Sequence, residues 1–364
     1  MIQEIAPYYD LSSQITACLS MDLEKTVVND VLYDIIEKIT IKTASSLDDS
    51  IGKVYHECKT AQLDKKQDFS QIGKGKDNFG DKAEFDYIIV MDGHGEPRYF
   101  EKHFGSVVYN MDFSVLIGTE NPVNRIVNEI EANMPRDAIR KFGIHAFLHV
   151  GATLSIAKIY HTHEKIKVVC YSAGDSRIAI YKNGSQVYIN EPHTIMSPRE
   201  NERLKEKIRD GSASITDGTS FRLLDTSRIV KCDNDRVIFN YGIGNFMNVN
   251  LVPTQCLGHL GVTGIDPEIY TAEFANTDNI RVIVYSDGVD DMICDTLEED
   301  IAFMKTRTCD EIIEKSEKRW KSPWTVIDEE EEEEPAYKPY VTTFGRGDDC
   351  SIGIWDNYYY DSLL

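Results

Sequence analysis

Tyr87-Ile88-Ile89-Val90-Met91-Asp92-Gly93-His94-Gly95 sets five apolar residues directly against an acid, two glycines and a histidine. A short unbroken apolar run is the signature of a strand buried on both faces, although a buried helix segment has the same periodicity. The β-branched content and the abrupt glycine stop argue for strand. The chain thus delivers a carboxylate to a strand end. The glycines let the backbone approach a bound group closely and leave the Gly93 carbonyl to face it. Asp92 and His94 are therefore candidate site residues. Taken alone, the stretch also reads as a strand-terminating turn with incidental polar residues.

Two further stretches strengthen the site reading. Arg281-Val282-Ile283-Val284-Tyr285-Ser286-Asp287-Gly288 repeats the design, with an acid and a glycine after an apolar strand. Asp348-Asp349-Cys350-Ser351-Ile352-Gly353-Ile354-Trp355 inverts it, with two acids at the start of a strand. Acids so far apart in sequence converge only through the fold. Carboxylates held together repel and take up protons unless a cation sits between them. Hard divalent cations such as Mg²⁺ or Mn²⁺ favour oxygen ligands of this kind.

Composition bounds the function. The chain has 364 residues, 41% hydrophobic and 27% charged, as in a globular protein. A net charge of −22 with no basic stripe argues against nucleic acid as partner and against anionic membrane surfaces. No apolar run is long enough to span a bilayer. Met1-Ile2-Gln3-Glu4-Ile5-Ala6-Pro7 lacks the basic start and apolar core of a signal peptide. The eight cysteines form no CxxC pair and read as reduced intracellular thiols, so their spacing predicts no zinc site.

Along the chain, residues 1–60 read as a helical lead-in, with Val28, Val31, Leu32, Ile35, Ile36 and Ile39 at helical spacing. Lys74-Gly75-Lys76-Asp77-Asn78-Phe79 is either a solvated loop or an anion-binding segment, with Asp77 near the metals. His145 and His149, four apart, have zinc-helix spacing, but the apolar residues around them favour core packing. His161 and His163 flank a turn. Lys167–Ile189 predicts three consecutive antiparallel strands turning at Ala173-Gly174-Asp175-Ser176 and at Asn183-Gly184. Ser197-Pro198 opens a charged helix over 198–209. Residues 210–260 are irregular, with one strand at Arg236–Asn240. A helical segment follows near 296–319, and the acidic run Asp328–Glu334 reads as a solvated loop.

These motifs together resemble the metal-dependent protein serine/threonine phosphatases of the PP2C (PPM) family. Asp92-Gly93-His94-Gly95 matches its DGHG signature, and Gly174-Asp175-Ser176-Arg177 its GDSR turn. Gly151-Ala152-Thr153-Leu154 is similar to G-[ST]-T, and Glu191-Pro192-His193 to a DHKP-like element followed by the acidic Glu202-Arg203-Leu204 helix. Ser286-Asp287-Gly288 with Asp291 resembles SDG-x-x-D, and Asp348-Asp349-Cys350-Ser351 the final D-N-x-[ST]. The series runs in family order over roughly residues 70–356.

The resemblance implies an α+β fold, a four-layer αββα sandwich of two antiparallel sheets flanked by helices. It implies two Mn²⁺ or Mg²⁺ ions, with Asp92 bridging them, the Gly93 carbonyl, Asp287 and Asp348 as ligands, and Asp175 with Asp287 holding a third. His94 would be the general acid. The expected phosphate-gripping arginine before an N-[EQ]-D triplet is missing when that triplet is set at Gly75-Lys76-Asp77, which leaves Lys74 and Lys76 as the phosphate-binding candidates. The usual glycine-aspartate of the middle region stands here as Gly258-His259. The domain is expected over 61–364, with a variable flap at about 210–260. The expected activity is hydrolysis of phosphoserine and phosphothreonine in phosphorylated protein substrates by a metal-activated water, in a cytoplasmic or nuclear monomer. The alternatives are a weak or inactive relative acting as a protein-binding module, and a hydrolase of small phosphoesters or a structural component.

Overall fold

The computed structural model describes residues 54–63, 65–133, 145–216, 220–223, 229–230, 236–240, 248–293, 298–321, 324–327, 338–340 and 347–358. The helix expected within 28–39 and the acidic run 328–334 lie outside the described residues. Ten strands build two five-stranded sheets: β1 (Tyr55–Ala61), β2 (Phe69–Lys76), β3 (Glu84–Met91), β4 (Leu154–His161), β5 (Lys165–Ala173), β6 (Arg177–Lys182), β7 (Ser185–Ile189), β8 (Glu268–Ala275), β9 (Ile280–Tyr285) and β10 (Cys350–Asp356). One sheet runs β1-β10-β9-β6-β7 and the other β8-β5-β4-β3-β2. Every pairing within them is antiparallel. The longer helices are α1 (Pro122–Asn133), α2 (Pro198–Arg209), α3 (Glu298–Thr306) and α4 (Cys309–Trp320).

Alternation along β3 explains its unbroken apolar run. Ile88 and Val90 point between the sheets, where they meet Ile178, Ile180, Val282, Val284 and Trp355. Tyr87, Ile89 and Met91 point the other way, onto Phe104, Phe113, Ile117 and the Val123, Ile126 and Ile130 stripe of α1. The opposite sheet buries its outer face, including Ile283 and Ile352, under Met304 of α3 and Cys309, Ile312, Ile313 and Trp320 of α4. Helix, sheet, sheet and helix thus stack in four layers, the αββα sandwich that the family resemblance implies. A fourth apolar cluster lies apart. There Leu204 of α2 packs on Ala213, Val237, Phe239, Val249 and Leu251 from a small three-stranded sheet inside the flap.

Several expectations are corrected. Residues 55–60, read as part of a helical lead-in, are strand β1, which pairs with β10 along its whole length. The turn at Ala173–Ser176 does not join a hairpin. β5 pairs with β4 and β8, whereas β6 pairs with β9 and β7, so this turn carries the chain from one sheet to the other. The sheet change places Asp175 at the open end between the layers. Gly174, at φ +113°, makes the sharp crossing with a backbone that a side chain would strain. The helix expected through His145 and His149 is described as His145–Leu148 and ends before His149. The single helix near 296–319 is two, and Thr308 starts the second with a capping box to Glu311.

His193, from the Glu191-Pro192-His193 element, clamps the crossing turn. Its backbone N–H donates to the Gly174 carbonyl at 2.9 Å. The Gly174 N–H in turn donates to His193 Nδ1 at 3.1 Å, which requires an unprotonated Nδ1. Burial pushes His193 down to about 4, with Arg199 and Arg203 adding to the shift and Glu200 opposing it. The unfolded imidazole titrates near ~6.5, so between those values only the unfolded chain takes the proton. The His193 contribution to stability is therefore complete above about pH 6.5 and lost as pH falls toward 4. Melting temperature should drop across this window, and His193→Asn, which keeps an acceptor and cannot titrate, should flatten the drop. An equal slope in the variant contradicts the assignment.

Candidate metal centre

The site forms where strand ends of both sheets meet. Asp92 follows β3 and is pinned through its backbone: its N–H donates to Thr153 Oγ1 at 3.0 Å, and its carbonyl accepts from the Thr153 N–H at 2.9 Å. Thr153 Oγ1 also bonds Ser176 Oγ at 2.7 Å, which ties the Asp175 turn to the same point. Asp287 follows β9 and is fixed by a reciprocal pair, Ser286 N–H to the Ser351 carbonyl and Ser351 N–H to Ser286 Oγ, both 2.9 Å. Short polar residues in each motif thus hold the backbone and leave the acids to project.

The carboxylates of Asp92, Asp175 and Asp287 come together, one oxygen from each lying within 4.8 Å of the others. Asp348 enters the same electrostatic cluster. Burial first, then Asp92, Asp348 and Asp175, push the Asp287 carboxyl well above the usual carboxylate range. Burial and the charge of Asp68, with Asp348 adding to it, do the same to Asp92. Asp287 Oδ1 is buried with no hydrogen-bond partner. An all-oxygen donor set, crowded, buried and short of protons or donors, fits hard divalent cations. Asp92, Asp287, Asp348 and Asp175 would hold them, with the Gly93 carbonyl beside Asp92.

Lys74 and Lys76 are not at this site. In the β2–β3 ladder Phe69 faces Met91, whereas Lys76 faces Glu84. The two lysines therefore lie five and seven residues from the site end, roughly 17 and 23 Å along a strand. Asp77 is also remote, buried against Lys158 Nζ and Tyr160 Oη. Among the described residues the cation on this cluster is instead Lys65, whose Nζ donates to the Asp348 carboxylate at 2.6 Å. Burial opposes its charge, but Asp348, Asp92 and Asp287 outweigh it and raise the Lys65 pKa. Asp349 holds the lysine's loop by accepting from the Leu63 and Gln67 N–H groups, each at 2.7 Å. Asp68, whose carboxyl is pushed up by burial first and then by Asp349, Asp348 and Asp287, completes the group. The signal for this segment was present: Lys66-Gln67-Asp68 fits N-[EQ]-D at two positions, where Gly75-Lys76-Asp77 fits at one.

His94, two residues after Asp92, is stacked on His259 with ring centroids 4.8 Å apart. Burial, then His259 and Lys65, lower its pKa well below the ordinary histidine value.

The sequence matches the model of the family described as Protein phosphatase 2C over residues 56–296, and the chain belongs to that family. Among solved structures it is similar to a C. elegans sex determining protein at 15% identity, covering 85% of this chain and 65% of that one, with a TM-score of 0.43. It is also similar to the Mycobacterium tuberculosis serine/threonine phosphatase PstP at 12% identity, covering 83% and 98%, with a TM-score of 0.39. The S. agalactiae serine/threonine phosphatase is 17% identical, covering 83% and 99%, with a TM-score of 0.41. No curated protein matches the sequence significantly. No described helix is long and apolar enough to cross a membrane.

Removing one acid should relieve the repulsion at this site. Metal-free Asp287→Asn should be more stable than wild type by up to about 3 kcal/mol, the size of one carboxylate–carboxylate repulsion at this spacing and an effective dielectric of ~20. Mn²⁺ should raise the melting temperature of wild type and not of the variant. A destabilised variant that still gains from Mn²⁺ contradicts this geometry.

Proposed function

We propose that the chain is a divalent-cation-dependent phosphatase acting on phosphoserine and phosphothreonine of proteins. The observation that carries this reading is the meeting of Asp92, Asp175 and Asp287 from distant motifs at one buried point, with His94 two residues after Asp92. Cations held there would supply a water of lowered pKa and a clamp for phosphoryl oxygens. Asp92, Asp287 and Asp348 hold the cation charge in place, and Asp175 offers a further oxygen for a third ion. Lys65 gives the phosphate dianion a positive anchor at the mouth of an otherwise acidic cluster, as a point charge rather than a fork. With a phosphate dianion bound beside it to raise its pKa again, His94 would deliver a proton to the departing serine or threonine oxygen. The catalytic unit spans 55–356 in this reading, because its first and last strands pair. The flap beyond α2 shapes the substrate face. Free thiols at Cys58, Cys170, Cys256, Cys309 and Cys350 suit a reducing, intracellular compartment.

One observation favours a second reading. The Lys65 ammonium already rests on Asp348, where it is a tethered monovalent cation at a position a metal would need. The chain would then be a weak or inactive family member that binds phosphoproteins.

Hydrolysis of a phosphothreonine peptide and of p-nitrophenyl phosphate with Mn²⁺ tests both. The enzyme reading expects turnover that chelation abolishes, and a loss of 10²–10³-fold or more in kcat for Asp287→Asn, about the size of losing one preorganised electrostatic partner. Lys65→Ala then raises KM. The tethered-cation reading expects Lys65→Ala to tighten Mn²⁺ binding and raise kcat. Activity that survives thorough chelation sinks the metal-dependent account altogether. Lys74→Ala and Lys76→Ala should stay within about a factor of two of wild type, as remote surface changes do. A large KM effect from either contradicts the placement of the phosphate site.

A further inference from the structure

Three soft donors meet beside the carboxylates. The imidazoles of His94 and His259 and the thiol of Cys256 each place one ligand atom within 4.8 Å of the other two. His94 comes from the segment after β3, whereas Cys256 and His259 lie three residues apart where the flap closes. A small antiparallel sheet joins them: His94 faces Gly151, and Gly151 faces Gly258. Glycine at 151 is required here, since a Cβ would come within 2.4 Å of the His259 ring. Its absence lets His259 lie across the sheet and stack on His94, the planes 14° apart.

The histidine pair is arranged as ligands are. His259 is 1% exposed, and its Nδ1 bonds the Leu148 carbonyl at 2.7 Å. That bond places the proton on Nδ1 and leaves the lone pair on Nε2. The His259 Nε2 is buried with no hydrogen-bond partner, and so is the His94 Nε2. Leaving such acceptors unsatisfied is costly unless something occupies the space between them. Two nitrogens and a sulfur also differ in kind from the all-oxygen set next door, so the two sites select different metals.

We propose that His94, Cys256 and His259 form a second cation site, of the Zn²⁺ class, and that filling it withholds His94 from phosphoryl chemistry. The second half rests on the phosphatase reading; the first half does not. Binding moves the sulfur and two nitrogen lone pairs onto the metal and releases the thiol proton to solvent, with no change of oxidation state. Tetrahedral bonds of about 2.0–2.3 Å set the donors about 3.3–3.7 Å apart, within reach of a small side-chain closure. Three protein ligands leave a fourth position for water. Burial and the nearby Asp175 and Asp92 charges push the Cys256 thiol up, so the metal itself has to displace the proton.

The test is a Co²⁺ titration of the full chain saturated with Mg²⁺, read by absorption. Wild type should bind Co²⁺ with a thiolate-to-cobalt charge-transfer band and tetrahedral d–d bands, and Zn²⁺ should displace it. Cys256→Ser should lose the charge-transfer band and bind at least about 100-fold more weakly, beyond what an outer-shell change costs. Asp287→Asn should keep the band while losing phosphate hydrolysis, which separates this site from the carboxylate centre. If Cys256→Ser fails to fold by circular dichroism, protection of Cys256 from alkylation by Zn²⁺ in wild type gives the same answer. A folded wild type without the band, a band that survives in Cys256→Ser, or an alkylation rate unchanged by Zn²⁺ overturns the site. Mn²⁺-supported hydrolysis that persists with cobalt displacement showing the site full of Zn²⁺ overturns the second half alone.

Discussion

Mutual repulsion among buried carboxylates governs this structure. Asp92, Asp175 and Asp287 crowd within 4.8 Å, and Asp348 and Asp68 lie close enough to shift them. At that spacing and an effective dielectric of ~20, two ionised carboxylates repel by about 3.5 kcal/mol. A domain stable by only about 5–15 kcal/mol cannot hold several such pairs ionised without a counter-charge. The charge is relieved by protons, by the Lys65 ammonium or by divalent cations. These three would differ in function: in the proposed reading protons would leave the site inert, lysine would leave a weak anion pocket, and divalent cations would give a hydrolytic centre.

The rest of the fold supplies what the crowding needs. Apolar packing between and outside the sheets is dense around Ile88, Val90, Val284 and Trp355 and carries the stability. Reciprocal backbone bonds at Asp92–Thr153 and Ser286–Ser351 fix the acids, so that repulsion cannot spread them. Asp349 does the same for the Lys65 loop through two backbone N–H groups. The acids project from well-packed strands rather than from long loops, which is what a preorganised charge site requires.

Much of this was legible in the sequence because strand and site share a signature. The apolar runs of β3 and β9 end in an acid, and β10 begins after two. Each run is buried on both faces, so its pattern survives without knowledge of its partners. What was not legible depended on partners. The Ala173–Ser176 turn has hairpin chemistry, and nothing local says that its strands join different sheets. Lys74 and Lys76 drew attention as a basic pair near the central strand, yet antiparallel pairing carries them to its far end. Lys65 was passed over because its role comes from Asp349, hundreds of residues later, which folds its loop back onto Asp348. The grouping of Cys256 and His259 with His94 is not visible locally, because His94 lies in the DGHG motif far away in sequence. The flap showed one strand of its small sheet because its strands are short and half-exposed.

The central claim is that the aspartates meet to hold divalent cations. Crystals grown with Mn²⁺ and measured at the manganese absorption edge test it most directly. The account predicts anomalous peaks bounded by Asp92, Asp287 and Asp348, with Lys65 swung away from Asp348 toward solvent or phosphate. Lys65 still seated on Asp348, with no anomalous density among the aspartates, would contradict it.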